Sequence, residues 1–201
     1  MFEPTTDSGA YILGILWGIC SPMGDDGYWL RHRNPLYIQA VREHLGLSTL
    51  PHLVESRTGP QVRLKIVRRS EVALLAAILQ SHGWAPRQAL QRPYPAGVID
   101  DRGFVRAWVE LHASADVARI GRHRTETPRL RIYGNWDMLD EVNRVIASGS
   151  GLTTRAVQRT GNISTKALYY QGRSYQAVAE WLYSNCEMSN PTARERILSP
   201  L

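Results

Sequence analysis

Apolar positions recur every three or four residues over residues 11–19, 37–45, 70–81, 104–111, 137–146 and 174–184, the spacing of one buried helix face. Between these stretches lie shorter runs at 29–33, 61–67, 113–120, 128–133 and 164–170 that suit strands. In three of them the pattern alternates strictly. Val62, Leu64 and Ile66 interleave with Arg63 and Lys65, Leu130 and Ile132 with Arg129 and Arg131, and Leu30 separates Trp29 from Arg31, with Arg33 beyond. A period of two sends successive side chains to opposite faces. Each sheet is therefore predicted to turn an apolar face to covering helices and an arginine-bearing face outward.

The pattern occurs twice in the same order. Arg57-Thr58-Gly59 and Arg159-Thr160-Gly161 are matching turns, each followed by a strand-like run and then a helix. Upstream, the helix at 37–45 parallels that at 137–146, with Val41 matching Val142, and the helix at 11–19 parallels that at 104–111. Agreement in a fixed order over the whole length indicates a duplicated unit. Each unit reads helix, strand, strand, helix, strand, strand, helix, and the fold class is α/β (α+β) with antiparallel sheets. Residues 21–27 are mostly turn chemistry and shorten the first hairpin of copy one; copy two has a longer hairpin closed by the basic loop 121–127. The expected divisions are a tail at 1–9, a first unit at 10–91, a linker at 92–101 with two prolines, a second unit at 102–185, and a polar tail at 186–201.

Charge sharpens the picture. The 201-residue chain carries a net +6 with a pI near 9.6, which biases it toward polyanions without choosing among DNA, RNA and a membrane surface. Lys65 and Lys166 are the only lysines, so arginine supplies nearly all the positive charge. Arginine's planar fork suits bidentate contacts to phosphate and to guanine edges. A GC-rich genome also replaces lysine with arginine, but it does not produce the net charge. A generic solvated face mixes both signs, whereas these strands carry arginine with almost no acid, which favours a nucleic-acid surface.

Other chemistry finds little support. Cys20 and Cys186 have neither zinc nor disulfide-framework spacing. The six histidines, His32, His44, His52, His82, His112 and His123, show no metal-ligand motif. No glycine-rich nucleotide loop is present. The acidic N-terminus lacks the basic start of a secretory signal, and the apolar run at 10–20 is shorter than the roughly 20 residues a membrane helix needs. A soluble, cytoplasmic protein is expected, with no membrane partner.

Two helix-first units, each opening on small and apolar residues, resemble the single-chain LAGLIDADG homing endonucleases. The first motif stands as ILGILWGIC at 12–20 and the second as VRAWVELHA at 105–113, preceded by Phe104. Gly14 and Gly18, with Ala107 opposite Gly14, suit two helices crossing at close backbone distance. The resemblance implies a central helix pair, two saddle-shaped sheets on the DNA major groove, and one acid at the eighth position of each motif that binds divalent metal at the scissile phosphates. This sequence departs there: the eighth residues are Ile19 and His112. Neither supplies the hard anionic oxygen that Mg²⁺ needs, so no metal or other cofactor is expected unless the protein cleaves. Glu110 and Asp26, with Asp25 and Asp116 in neighbouring loops, are the candidate substitutes, although Glu110 projects roughly 160–200° away from His112 on a helix. A central lysine, another feature of that family, corresponds to Lys65 or Lys166 in the predicted fourth strands.

The expectation is a double-stranded DNA-binding protein, monomeric because its two units are fused, that has lost cleavage. The candidate DNA contacts are Arg31, Arg33, Arg57, Arg63, Lys65, Arg119, Arg122, Arg124, Arg129, Arg131, Arg159 and Lys166. The alternatives are an active metal-dependent site-specific endonuclease with displaced acids, and an RNA-binding protein like an intron maturase.

Overall fold

The computed structural model describes residues 2–24, 26–57, 59–120, 125–161 and 165–200. Its first half runs α1 (Asp7–Ile19), β1 (Cys20–Pro22), β2 (Tyr28–His32), α2 (Pro35–Leu45), β3 (His52–Val54), β4 (Gln61–Ile66) and α3 (Arg69–Ser81). The second half repeats that order as α4 (Asp101–His112), β5 (Ala113–Ile120), β6 (Thr125–Gly134), α5 (Trp136–Ser150), β7 (Gln158–Arg159), β8 (Lys166–Gln171) and α6 (Arg173–Tyr183). A last helix, α7 (Pro191–Leu198), occupies the polar tail.

Helix boundaries follow local chemistry. Thr6, Asn34, Asp100, Asn135 and Asn190 each accept a backbone amide at the start of a helix. Gly46 and Gly151 close α2 and α5 in the left-handed conformation that a side chain would disfavour.

The two sheets share one topology, β1-β2-β4-β3 and β5-β6-β8-β7, and every described pairing is antiparallel. Register fixes the internal equivalence. Cys20 pairs with Leu30 and Leu30 with Leu64; Ala113 pairs with Ile132 and Ile132 with Leu168. Superposing these triplets equates Trp29 with Arg131, Lys65 with Tyr169, and Val62 with Lys166.

α1 shows no amphipathic stripe, because every residue from Gly9 to Trp17 is buried. Such a helix must be covered all round, and α4 covers it most closely. A Cβ on Gly14 would stand 2.6 Å from the Ala107 Cβ and 2.9 Å from the Phe104 carbonyl oxygen. A bidentate ion pair closes the start of this helix pair: Arg106, fully buried, donates to both Asp7 carboxylate oxygens and to the Leu182 carbonyl. At their other ends both helices run directly into a strand, β1 after Ile19 and β5 after His112. Leu30, Leu64 and Ile66 of one sheet and Leu130, Ile132 and Leu168 of the other join the same core as these helices.

Candidate nucleic-acid interface

Strand alternation turns Leu30, Leu64 and Ile66 into the core and leaves Trp29, Arg31, Gln61, Arg63 and Lys65 on the open face of the first sheet. Register sets Arg31 beside Arg63 and Trp29 beside Lys65. The Trp29 ring lies 4.7 Å from the Arg63 guanidinium carbon and 5.6 Å from the Lys65 Nζ. This cation–π stacking holds two positive groups side by side on an apolar platform. On the open face of the second sheet stand Ser114, Asp116, Arg129, Arg131, Tyr133, Tyr169 and Gln171.

Asp116 corrects the expectation in two ways. It lies in β5 rather than in a loop, and it sits among arginines expected to stand with almost no acid. Arg129 grips both its carboxylate oxygens at 2.9 Å, and Arg131 reaches one at 2.6 Å. Hydrogen bonding from Arg129 and the charges of both arginines hold the Asp116 carboxyl below its usual range. Copy two therefore presents two arginines partly neutralised by one carboxylate, while the open face of copy one carries no such acid among its described strand residues.

The other candidates scatter. Arg33 and Arg57 are exposed beyond the strand ends. Arg119 falls on the opposite side of its hairpin from Arg129 and pairs with Glu126 at 3.2 Å. Arg159 is exposed in β7, beside Lys166. Arg122 and Arg124 lie outside the described residues, as does Asp25. Lys166 is only 8% exposed, shares the core-side face with Leu168 and Tyr170, and places its Nζ 5.9 Å from the Trp136 ring. It is not the counterpart of Lys65, which register assigns to Tyr169. The matching turns misled the alignment: five positions separate Gly59 from Leu64, but seven separate Gly161 from Leu168.

The two helix ends differ chemically. Ile19 presents a hydrocarbon side chain. The His112 ring packs on Trp108, with centroids 4.2 Å apart, and its Nε2 is buried against Gly18 without a hydrogen-bond partner. Burial, with Arg92 and His32 nearby, pushes its pKa down to about 3, so it is neutral at physiological pH. Glu110 is sealed from solvent at 3% exposure. It accepts the Tyr11 hydroxyl at 2.5 Å and the Asn190 amide at 3.1 Å, and so ties α7 to the helix pair. Asp26 is exposed in the turn past Pro22, about 10 Å along the hairpin from the end of α1 at ~3.3 Å per strand residue.

The structure resembles, over nearly its whole length, mesophilic variants of the homing endonuclease I-DmoI: 13% identity, 95% of this chain, 97% of that one, TM-score 0.59. It also resembles the LAGLIDADG homing endonuclease I-LtrWI bound to target DNA, at 8% identity over 94% of this chain and 87% of that one, TM-score 0.63. A third likeness is to the LAGLIDADG meganuclease I-AabMI bound to uncleaved DNA, at 7% identity over 94% and 88%, TM-score 0.58. The chain has the LAGLIDADG homing-endonuclease fold. No family model matches the sequence, and no curated protein matches it.

In the LAGLIDADG fold, the resemblance places metal-binding acids at the positions held here by Ile19 and His112. The donors present do not fit magnesium, which takes hard oxygen ligands. Among the described residues no group of three or more His, Cys, Asp or Glu is placed to hold a metal ion. Of the two substitute acids, Glu110 is internal and Asp26 is exposed in the turn past Pro22. No helix among the described residues is long and apolar enough to cross a membrane.

Glu110 makes a measurable mark instead. Burial raises its carboxyl from the ordinary 4.5 to about 7, against the pull of the Tyr11 hydroxyl and the Asn190 amide. Between these values the folded protein keeps a proton that the unfolded chain has released. Its contribution is fully present below about pH 4.5 and is lost as pH rises through about 7. His112 acts in the opposite sense, with stability lost as pH falls from 6.5 toward about 3. Denaturant titrations of wild type and Glu110→Gln at matched pH isolate the carboxyl. The difference should move in the variant's favour from pH 4.5 to 7 and then level off.

Proposed function

We propose that this protein binds double-stranded DNA along the open faces of its two sheets, as a monomer, without cutting it. The single observation that carries the loss of cleavage is the pair Ile19 and His112 at the helix ends, where a hydrocarbon and a buried neutral imidazole replace the two acids. Binding draws support from the cationic open face around Trp29 and from solved structures of the same fold bound to DNA. In this reading Arg31, Arg63, Lys65, Arg129 and Arg131 neutralise phosphates, and planar guanidiniums are placed for base edges in the major groove. A neighbour solved with DNA and Ca is the basis for the alternative of metal-dependent cleavage, and no side chain at the helix ends favours it.

Alanine at Arg63 or Arg131 should each lower affinity for duplex DNA about ten-fold at fixed salt and flatten the salt dependence by about one phosphate. Neither change should lower stability by more than about 1 kcal/mol, as expected for half-buried charges on an open sheet face. Asp116→Asn should do the reverse, raising affinity by freeing both arginines. Filter binding on the three variants checks this, and unchanged affinity in both alanine variants would remove the open faces from the interface. Competition between duplex DNA and structured RNA in the same assay separates this reading from a maturase-like one.

A further inference from the structure

A cavity of about 620 Å³ opens at the end of α1, beside the eighth motif residue. Its wall includes Ile19, Ser21, Arg31, Gln61, Arg87 and Arg92, and no acidic residue lines it. Ser21, Arg31 and Gln61 share the open face of the first sheet, so the cavity opens onto the surface proposed for DNA.

Arg92 is the unusual member. It belongs to the stretch between the two halves, yet it is 2% exposed and stacks on Trp84 at 4.6 Å. Its guanidinium donates to the carbonyls of Trp17, Cys20 and Arg87. Its Nε is buried with no hydrogen-bond partner, and so is the Ser21 hydroxyl on the same wall. Both atoms are sealed beneath the wall, so Arg92 acts on the cavity through its charge rather than through a free donor.

The electrostatics agree. The last carbonyls of a helix carry partial negative charge and repel an anion. Arg92 covers two of them at the end of α1 and reverses the sign there. The second repeat uses a related device: Arg196 of α7 donates to the Glu110 carbonyl at 3.0 Å, and Glu110 occupies the same motif position as Trp17. The cavity beside that arginine, however, is lined by Asp116, Glu126 and Glu195. Of these two cavities at the helix ends, the first-repeat one is free of acid.

We infer that the cavity at the end of α1 is a phosphate-binding subsite, in which Arg31 and Arg87 at the rim hold an anion and the charge of Arg92 in the wall supports it. The inference deepens the DNA-binding reading and rests on it for the source of the phosphate, a backbone phosphodiester of the duplex. A guanidinium cluster needs no divalent ion to hold a phosphate, so occupancy should be indifferent to chelator.

The test is titration of inorganic phosphate into ¹⁵N-labelled full-length protein at low salt with chelator, following the Arg92 Nε–H and Ser21 amide signals. Saturable shifts at both are expected. Arg87→Ala should raise the dissociation constant at least ten-fold, Arg31→Ala several-fold, and Arg144→Ala on α5, away from both open faces, should leave it unchanged. Arg31 and Arg87 are exposed, so these variants keep the fold. A short duplex added afterwards should displace the phosphate. Saturable, Arg87-dependent binding that the duplex fails to displace would support the subsite while overturning the DNA source. Shifts that do not saturate, or that ignore Arg87, would overturn the subsite whether or not duplex DNA binds.

Discussion

Replacing Gly14 with alanine is expected to destabilise the protein by about 3 kcal/mol, the upper range for overpacking a tight interior. The new Cβ would lie 2.6 Å from the Ala107 Cβ and 2.9 Å from the Phe104 carbonyl oxygen. One obstacle is short and the other is backbone, so neither yields by rotating a side chain. Alanine's helix preference over glycine returns only about 1 kcal/mol, too little to decide the sign. The reciprocal exchange supplies the control. Gly14→Ala combined with Ala107→Gly removes the 2.6 Å contact and should recover part of the loss, the Phe104 carbonyl remaining in the way. Urea denaturation of the single and double variants measures both. A neutral or stabilising Gly14→Ala would mean that the helices cross farther apart than described.

Duplex binding should weaken about a thousand-fold between 50 and 200 mM monovalent salt, the response to roughly six neutralised phosphates. Arg31, Arg63 and Lys65 on one sheet and Arg129 and Arg131 on the other supply most of the charge, while Asp116 holds it down on the second. A loss of less than ten-fold would place the energy of binding outside phosphate contacts. Because Asp116 sits only on the second sheet, the slope should steepen when it becomes asparagine.

Much of this architecture was legible because it rests on local periodicity. The alternation of Val62, Leu64 and Ile66 with Arg63 and Lys65 has one physical solution in a half-buried strand, and the structure shows it. The close approach at Gly14 was equally open to reading, since a glycine opposite an alanine in two matching helices implies a crossing. What escaped depended on register and on contacts distant in sequence. Lys166 seemed to mirror Lys65 because the turns match, but it stands five positions after Gly161 where Lys65 stands six after Gly59, and that odd difference turns it to the core-side face. Asp116 falls inside the run at 113–120 that suits a strand, and what the sequence does not show is the β5–β6 register that sets it opposite Arg129. Arg92 looked like linker charge. Its partners, Trp17 and Cys20, lie more than 70 positions upstream, and nothing in its neighbours' spacing announces them.

The central claim, binding of duplex DNA without cleavage, is tested most directly by selecting bound molecules from a random duplex library with and without Mg²⁺ and sequencing intact and cut products together. The account predicts an enriched consensus that stays intact in both conditions. Cut products appearing only with the metal would contradict it, because cleavage would then proceed with Ile19 and His112 at the motif acid positions.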